Sequence, residues 1–162
     1  MQLAPFRALL AGALVGAALT ACGGAYYDME IEAPQVSVAI VSAQTPLIAG
    51  QASSVQAAVV NTSQYGATNV LVQVAAPIGF QYQNVICLSS GAPICPPVSV
   101  QQLAGGLFFP SFPAGTQVSF MFDGVTTGAA GSQVVLVVIA NVPGDQHSED
   151  NTAMRYVPVV AP

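Results

Sequence analysis

From Gln35 onward, apolar residues recur at every second position in short runs separated by clusters of glycine, proline, asparagine and serine. This period of two predicts β-strands, because successive side chains of a strand point to opposite faces. No stretch has the 3.6-residue spacing of a capped amphipathic helix, so almost no helix is expected. The predicted strands cover residues 35–40, 54–59, 70–74, 80–87, 98–102, 117–123, 134–140 and 152–160.

Two of these segments also predict their place in a sheet. Residues 134–140 are seven apolar residues without a break, which is typical of a strand buried on both faces in the middle of a sheet. Pro158 lacks a backbone N–H and therefore marks the last strand as an edge strand. Short strands at this spacing predict an all-β fold, an immunoglobulin-like antiparallel β-sandwich of seven to eight strands over residues 35–162.

The N-terminal residues follow a different pattern, that of an export signal. Arg7 gives a short positive start, and the uncharged run from Ala8 to Ala21 ends in small residues. This run of 14 residues is shorter than the roughly 20 that a transmembrane helix needs. We therefore expect residues 1–21 to be a signal peptide and residues 22–34 to be an acidic tether.

The end of that run, Leu19-Thr20-Ala21-Cys22, resembles the lipobox of bacterial lipoprotein precursors. The resemblance implies that Cys22 receives a diacylglycerol, that a peptidase cuts just before it, and that the freed amine is acylated. Two or more acyl chains are enough for stable membrane attachment. Gly23 stands where an aspartate would signal inner-membrane retention. The expected location is therefore the bacterial cell envelope, at the outer membrane if the cell is Gram-negative.

Lipidation of Cys22 would leave two of the three cysteines, Cys87 and Cys95. A turn-rich interval separates them, so the pair can meet as a disulfide across a hairpin in an oxidising compartment. A metal site is less favoured, because no histidine or third thiol lies nearby in the sequence. Their spacing also differs from the tight Cys-x-x-Cys of redox-active pairs.

The body of the chain resembles the bacterial surface repeat domain catalogued as domain of unknown function eleven, an immunoglobulin-like module related to adhesion-type repeats. The series of matching pieces carries the resemblance, in order and spacing, from about residue 35 to 160. Asp150 and Phe112 depart from the asparagine and leucine of the family pattern, and the chain has one copy of a module that often occurs in tandem. The pieces are Ile48-Ala49-Gly50, Asn61-Thr62-Ser63, Ala67-Thr68-Asn69-Val70, Pro77-Ile78-Gly79-Phe80, Cys87 with Cys95, Phe112-Pro113-Ala114-Gly115 and Asp150-Asn151-Thr152-Ala153.

Charge and composition narrow the function. Only 6% of the residues are charged and the net charge is −5, so nucleic acid is not expected as a partner. The chain has one histidine, His147, no lysine, and only Arg155 as a positive side chain after the signal. We expect no enzyme, because nucleophilic and titratable groups are scarce.

The loop at residues 144–151 contains three acidic residues and the histidine, so it is the only place to look for a chemical site. A serine hydrolase site with Ser148 and His147 is disfavoured, since no Gly-x-Ser-x-Gly elbow is present. Calcium is the better functional interpretation, because the loop offers hard oxygen ligands, although their spacing does not match an EF-hand. The alternative is an exposed hairpin turn without a metal. The candidate ligands are Asp145, Glu149, Asp150 and Asn151.

Two further features are open to more than one interpretation. Phe108, Phe109 and Phe112 form a dense apolar stretch, which is either an interaction patch or core packing under a loop. Asn61-Thr62-Ser63 matches a glycosylation sequon, but a turn explains it in a bacterial lipoprotein.

Together these patterns predict a lipid-anchored, non-enzymatic envelope protein. It would display one immunoglobulin-like module for surface interaction or adhesion with a protein or polysaccharide, through a sheet edge or the loops at one end. One alternative is a structural, self-associating envelope component. Another is an accessory domain of a hydrolytic or carbohydrate-active system.

Overall fold

The computed structural model describes residues 33–91 and 95–162, without the side chains of Ser42 and Ala43. The predicted signal peptide, Cys22 and most of the tether lie outside the described residues. Within the described ranges, no helix is both long and apolar enough to cross a membrane. The elements are β1 (Val36–Ala43), β2 (Leu47–Ile48), β3 (Ala52–Asn61), β4 (Ala67–Val74), β5 (Phe80–Ser90), α1 (Val100–Gly105), β6 (Leu107–Phe112), β7 (Gln117–Thr126), β8 (Gln133–Asn141), a 3₁₀ turn (Ser148–Asp150) and β9 (Thr152–Val160).

The strands form two packed sheets, which confirms the predicted immunoglobulin-like β-sandwich. The first sheet has the order β1-β3-β7-β5 and the second has the order β2-β9-β8-β4-β6. All pairings are antiparallel except that of β2 with β9. The first two strands of the chain therefore belong to different sheets: β1 is an end strand of the first sheet, and β2 is an end strand of the second. Strand β6 occupies the second sheet next to β4, although β5 of the first sheet precedes it in the chain.

The core lies between the inner faces and consists of alternate residues of each strand. In the first sheet Phe120 and Phe122 of β7 are buried, and in the second sheet Leu136 of β8 is buried. Gly124 lets the aromatic ring of Phe80 lie close to β7, because a Cβ there would come within 2.5 Å of a Phe80 ring carbon and 2.4 Å of the Gln81 carbonyl oxygen. The alternating apolar residues of the sequence thus form one apolar layer between the two sheets.

The predicted strand at residues 98–102 is wrong, because this segment begins α1. The Ser99 hydroxyl accepts a bond from the Gln102 N–H at 3.2 Å, and the Gln102 side chain accepts one from the Ser99 N–H at 2.9 Å. This capping box satisfies N–H groups that a helix start otherwise leaves free. Leu103 anchors the helix in the core. The six-residue helix is also an exception to the expectation of almost no helix.

Strand β8 lies in the middle of its sheet, between β9 and β4, as predicted. The prediction that β8 is buried on both faces is wrong. Val134, Leu136 and Val138 are buried on one face, while Ile139 on the other face is 38% exposed. No described element covers the outer side of this sheet. Pro158 does lie at an edge, since β2 pairs with only the last two residues of β9.

Candidate functional site

The outer side of the second sheet carries several large exposed apolar side chains. Phe108 is 53% exposed, Met154 54% and Tyr156 59%. The strand register places Leu71 beside Phe108, Val137 beside Met154, and Val135 beside Tyr156. We call Leu71, Phe108, Val135, Val137, Ile139, Met154 and Tyr156 the outer apolar face.

No charged side chain points outward on the four long strands of this sheet. Their only charged residue, Arg155, pairs across the ladder with the buried Leu136 and so faces inward. Its guanidinium donates to the Ile40 carbonyl oxygen at 3.5 Å. Contiguous exposed apolar surface without charge is typical of a protein contact site. Sequence reasoning missed this surface because it expected both faces of β8 to be covered.

The three phenylalanines predicted as one patch are divided by β6. Phe109 and Phe112 are buried and pack edge to face, with ring centroids 5.8 Å apart. Phe108 directly precedes Phe109 on the strand and points to the opposite face, where it is 53% exposed. The three side chains do not form a common patch, and only Phe108 belongs to an exposed surface.

The predicted disulfide is present. Cys87 of β5 is bonded to Cys95, with a Cα–Cα distance of 5.7 Å. Both residues are partly buried and pack against the core. The bond ties the segment that leads to α1 to the end strand of the first sheet.

A small apolar cleft lies beside α1, bounded by Leu103, Tyr82 and Phe122. Burial raises the pKa of the Tyr82 hydroxyl to about 12. The cleft holds about 40 Å³, whereas sites for drug-sized ligands start at about 300 Å³. Its size excludes it as a site for such a ligand.

In the loop before β9, the two oxygens of Asp145 are already used. One accepts a bond from the Val36 N–H at 2.9 Å, and the other accepts one from the His147 N–H at 2.9 Å. Because Val36 begins β1, this carboxylate fastens the start of the first sheet to the loop. A metal at Asp145 would have to share the carboxylate with these bonds, since each oxygen keeps a further lone pair.

The carboxyl pKa values of the other two acids in this loop, Glu149 and Asp150, shift in opposite directions. His147 Nδ1 lies 3.2 Å from Glu149 Oε1. A bond from the Glu149 backbone N–H, together with His147, holds the pKa of the Glu149 carboxyl below its usual range. Burial, and then the nearby charges of Asp145 and Glu149, raise the pKa of Asp150. Within the described part of the chain no serine hydroxyl is bonded to His147, so the hydrolase arrangement has no geometric support there.

The structure does not gather the four predicted calcium ligands into one group. Among the described residues, no three acidic, histidine or cysteine side chains lie close enough together to hold a metal ion. Asp150 Oδ1 and Asn151 Oδ1 are buried without a hydrogen-bond partner. These two oxygens are the part of the loop that a cation could still satisfy.

The asparagine of the sequon is a structural residue. Asn61 is fully buried, and its amide donates to the Tyr65 and Phe112 carbonyl oxygens at 2.8 and 3.0 Å. Its side-chain oxygen accepts a bond from the Ser63 N–H at 3.1 Å. The turn therefore explains the motif, because the amide nitrogen is not accessible to a glycosyl donor.

Comparisons with known proteins give only distant likenesses. No family model matches the chain, and no curated protein matches it. The chain is similar to the CARDB domain of a Pyrococcus furiosus protein, with a TM-score of 0.49 and 13% identity over 80% of this chain and 98% of that one. It is also similar to a cohesin module of a Clostridium perfringens family 33 glycoside hydrolase, with a TM-score of 0.43 and 7% identity over 81% and 99% of the two chains.

A third similar structure is AvmM, which catalyses macrocyclization in alchivemycin A biosynthesis. Its TM-score is 0.45 at 8% identity, over 80% of this chain and 89% of that one. The strand order and register described above, rather than these likenesses, define the fold of this chain.

Proposed function

We propose that this protein is a lipid-anchored, non-enzymatic component of the bacterial envelope that presents one immunoglobulin-like domain for contact with another protein or a polysaccharide. The export signal and the lipobox ending at Cys22 support the anchoring. The observation that carries the contact role is the outer apolar face, where exposed aromatic, methionine and aliphatic side chains lie together without charge.

The composition of this face suits recognition. Aromatic residues and methionine are enriched at protein interfaces, and charged residues are depleted from interface centres. Tyr156 combines an apolar ring with a hydroxyl, as residues at binding hot spots often do. Gln73 and Asn141 lie beside Ile139 and Leu71 in the ladder and add hydrogen-bonding groups.

A photo-crosslinking amino acid at Tyr156 in the full chain, in intact cells, tests the contact. The matched control places the same group at Gln51, an exposed turn residue. We expect a specific adduct with an envelope protein or a glycan from Tyr156 and none from Gln51. Equal or absent adducts would overturn the contact role. Amine-reactive reagents are unsuitable, because the chain has no lysine.

The anchor is tested separately. Mass spectrometry of the N-terminal peptide should show Cys22 at the new N-terminus with acyl chains attached. Cys22→Ser should move the protein from the membrane fraction to the soluble fraction. An unmodified Cys22 in membrane-bound protein would contradict the anchoring.

Calcium binding is a second, narrower proposal for the loop before β9. It is favoured by the two unpartnered buried oxygens of Asp150 and Asn151. Millimolar calcium added to metal-free protein should then raise the melting temperature of the wild type but not of Asp150→Asn. An unchanged melting temperature of the wild type would overturn this proposal.

A further inference from the structure

The sandwich has four sheet edges, and three of them carry features that hinder pairing with another strand. Strand β6 contains Pro110, which cannot donate a backbone bond. Strand β9 has β2 along its end, Pro158 beside it, and the inward charge of Arg155. Strand β1 has a register shift between Ile40 and Ser42 and lies against β8 and β9. Proline, bulges and inward charges are the usual means of protecting edges.

Strand β5 also has a register shift, between Tyr82 and Asn84, but the stretch that follows it has none of these features. Residues 84–90 pair with β7 without interruption, and no described strand pairs with their other side. This segment contains neither a charged residue nor a proline. Ile86 and Leu88 are 42% and 52% exposed on its outer side. It is therefore a neutral, seven-residue edge on which no described strand is paired. Cys87 pairs with the buried Phe120, so its disulfide to Cys95 lies on the inner side of the strand.

The segment is also complementary to itself. Cys87 is the middle residue of 84–90, and Ile86 and Leu88 lie symmetrically on either side of it. In an antiparallel pair centred on Cys87, each Ile86 lies opposite Leu88 of the second copy on the same face. The two-fold axis thus creates two identical aliphatic cross-strand pairs, as an isologous interface requires.

Charge does not oppose this arrangement. Among the described acidic residues, Asp123 pairs with Asn84 at one end of the segment. An antiparallel partner places its own Asp123 at the other end, about 20 Å away at about 3.4 Å per residue. That separation exceeds the screening length of about 8 Å at physiological salt. The other described acids, Asp145, Glu149 and Asp150, lie in the loop before β9.

We propose that β5 pairs with β5 of a second copy of this chain, antiparallel and centred on Cys87, so that two first sheets form one continuous eight-stranded sheet. This pairing goes beyond the proposed function, since the outer apolar face belongs to the other sheet and stays available. Either proposal can fail without the other.

Sedimentation velocity of the full chain in detergent, over a series of concentrations, tests the pairing. The variant is Leu88→Lys, which places two positive charges within the proposed joint. The matched control is Val41→Lys, because Val41 is 55% exposed on the same sheet at the opposite edge. We expect a monomer–dimer equilibrium for the wild type and Val41→Lys, and at least about tenfold weaker association for Leu88→Lys, as loss of both aliphatic pairs implies.

Three results would overturn the proposal: a monomer at every concentration, equal association of all three proteins, or association lost in Tyr156→Lys but kept in Leu88→Lys. The second would place the contact in another part of the chain, and the third on the outer apolar face. Amide hydrogen exchange gives an independent readout. The amides of residues 84–90 should exchange more slowly at high protein concentration in the wild type, and at a constant rate in Leu88→Lys.

Discussion

The two sides of the sandwich are closed in different ways. On one side, which we call the closed side, β1 lies close to β9, and β2 pairs directly with β9. On the other, the open side, β5 and β6 do not pair, and α1 lies between them. The first closure uses the β2–β9 ladder together with packing of β1 against β8 and β9. The second uses one buried leucine, one helix cap and one disulfide.

This difference explains where surface remains available. On the closed side β1 ends the first sheet beside β9, and the short β2 ends the second sheet by pairing with the last two residues of β9. The helix on the open side fills the gap between the layers but forms no ladder with β5. The open side therefore keeps both the small apolar cleft and the free strand edge.

Leu103→Ala should have the largest effect on the open side. Leu103 is the buried residue of α1, and its truncation leaves a cavity beside Phe122. Such changes cost about 2–5 kcal/mol of the free energy of unfolding. Urea denaturation measures the loss. Val41→Ala, at an exposed valine of β1, is the control and should change stability by less than about 0.5 kcal/mol. Equal losses would mean that α1 does not hold the open side together.

Removal of the disulfide should have the next largest effect. The double variant Cys87→Ala, Cys95→Ala should lose about 2.5 kcal/mol, because the unfolded chain regains the freedom of the short loop. Chemical reduction of the wild type should produce the same loss and provides the control. A loss below about 0.5 kcal/mol in both cases would show that packing alone holds the segment before α1.

Ser99→Ala tests the helix cap. The variant leaves the Gln102 N–H without its partner, which should cost about 1 kcal/mol. Ser111→Ala, at an exposed position of β6, provides a control outside the cap. Hydrogen exchange should be faster in residues 100–105 of Ser99→Ala only. An unchanged unfolding free energy would show that burial of Leu103 is sufficient to form α1.

The sequence predicted the closed side better than the open side. Alternation is a local property, so it identified the strands that line the core, including the full range of β9. The helix α1 has only six residues, too few to show a 3.6-residue period, although Ser99 and Gln102 form a capping signal. Strand β6 was not predicted, because it contains Pro110, and proline is unusual inside a strand. The exposed face could not be predicted, because the apolar run of β8 suits both a covered and an uncovered sheet.

Arg155→Met tests whether a side chain contributes to the closed side. The bond from Arg155 to the Ile40 carbonyl oxygen is long, at 3.5 Å, and methionine keeps the apolar stem. Since the β2–β9 ladder and the packing of β1 close this side without Arg155, the loss should be below about 1 kcal/mol. A loss as large as that of Leu103→Ala would show that the two sides are held in the same way.

Asp150→Asn should have the smallest effect, in the loop that leads into β9. Because burial and neighbouring acids raise the folded-state pKa of Asp150, wild-type stability falls as pH rises above the unfolded value. The variant should therefore be more stable at pH 7, by about 0.5 kcal/mol after solvent screening, and equal to the wild type at pH 3. Glu149→Gln is the control of opposite sign. The pKa of Glu149 is lowered in the folded protein, so removal of its negative charge should slightly destabilise the protein at pH 7. Thermal unfolding at the two pH values measures both, and a gain for Asp150→Asn that persists at pH 3 would show that its charge is not the cause.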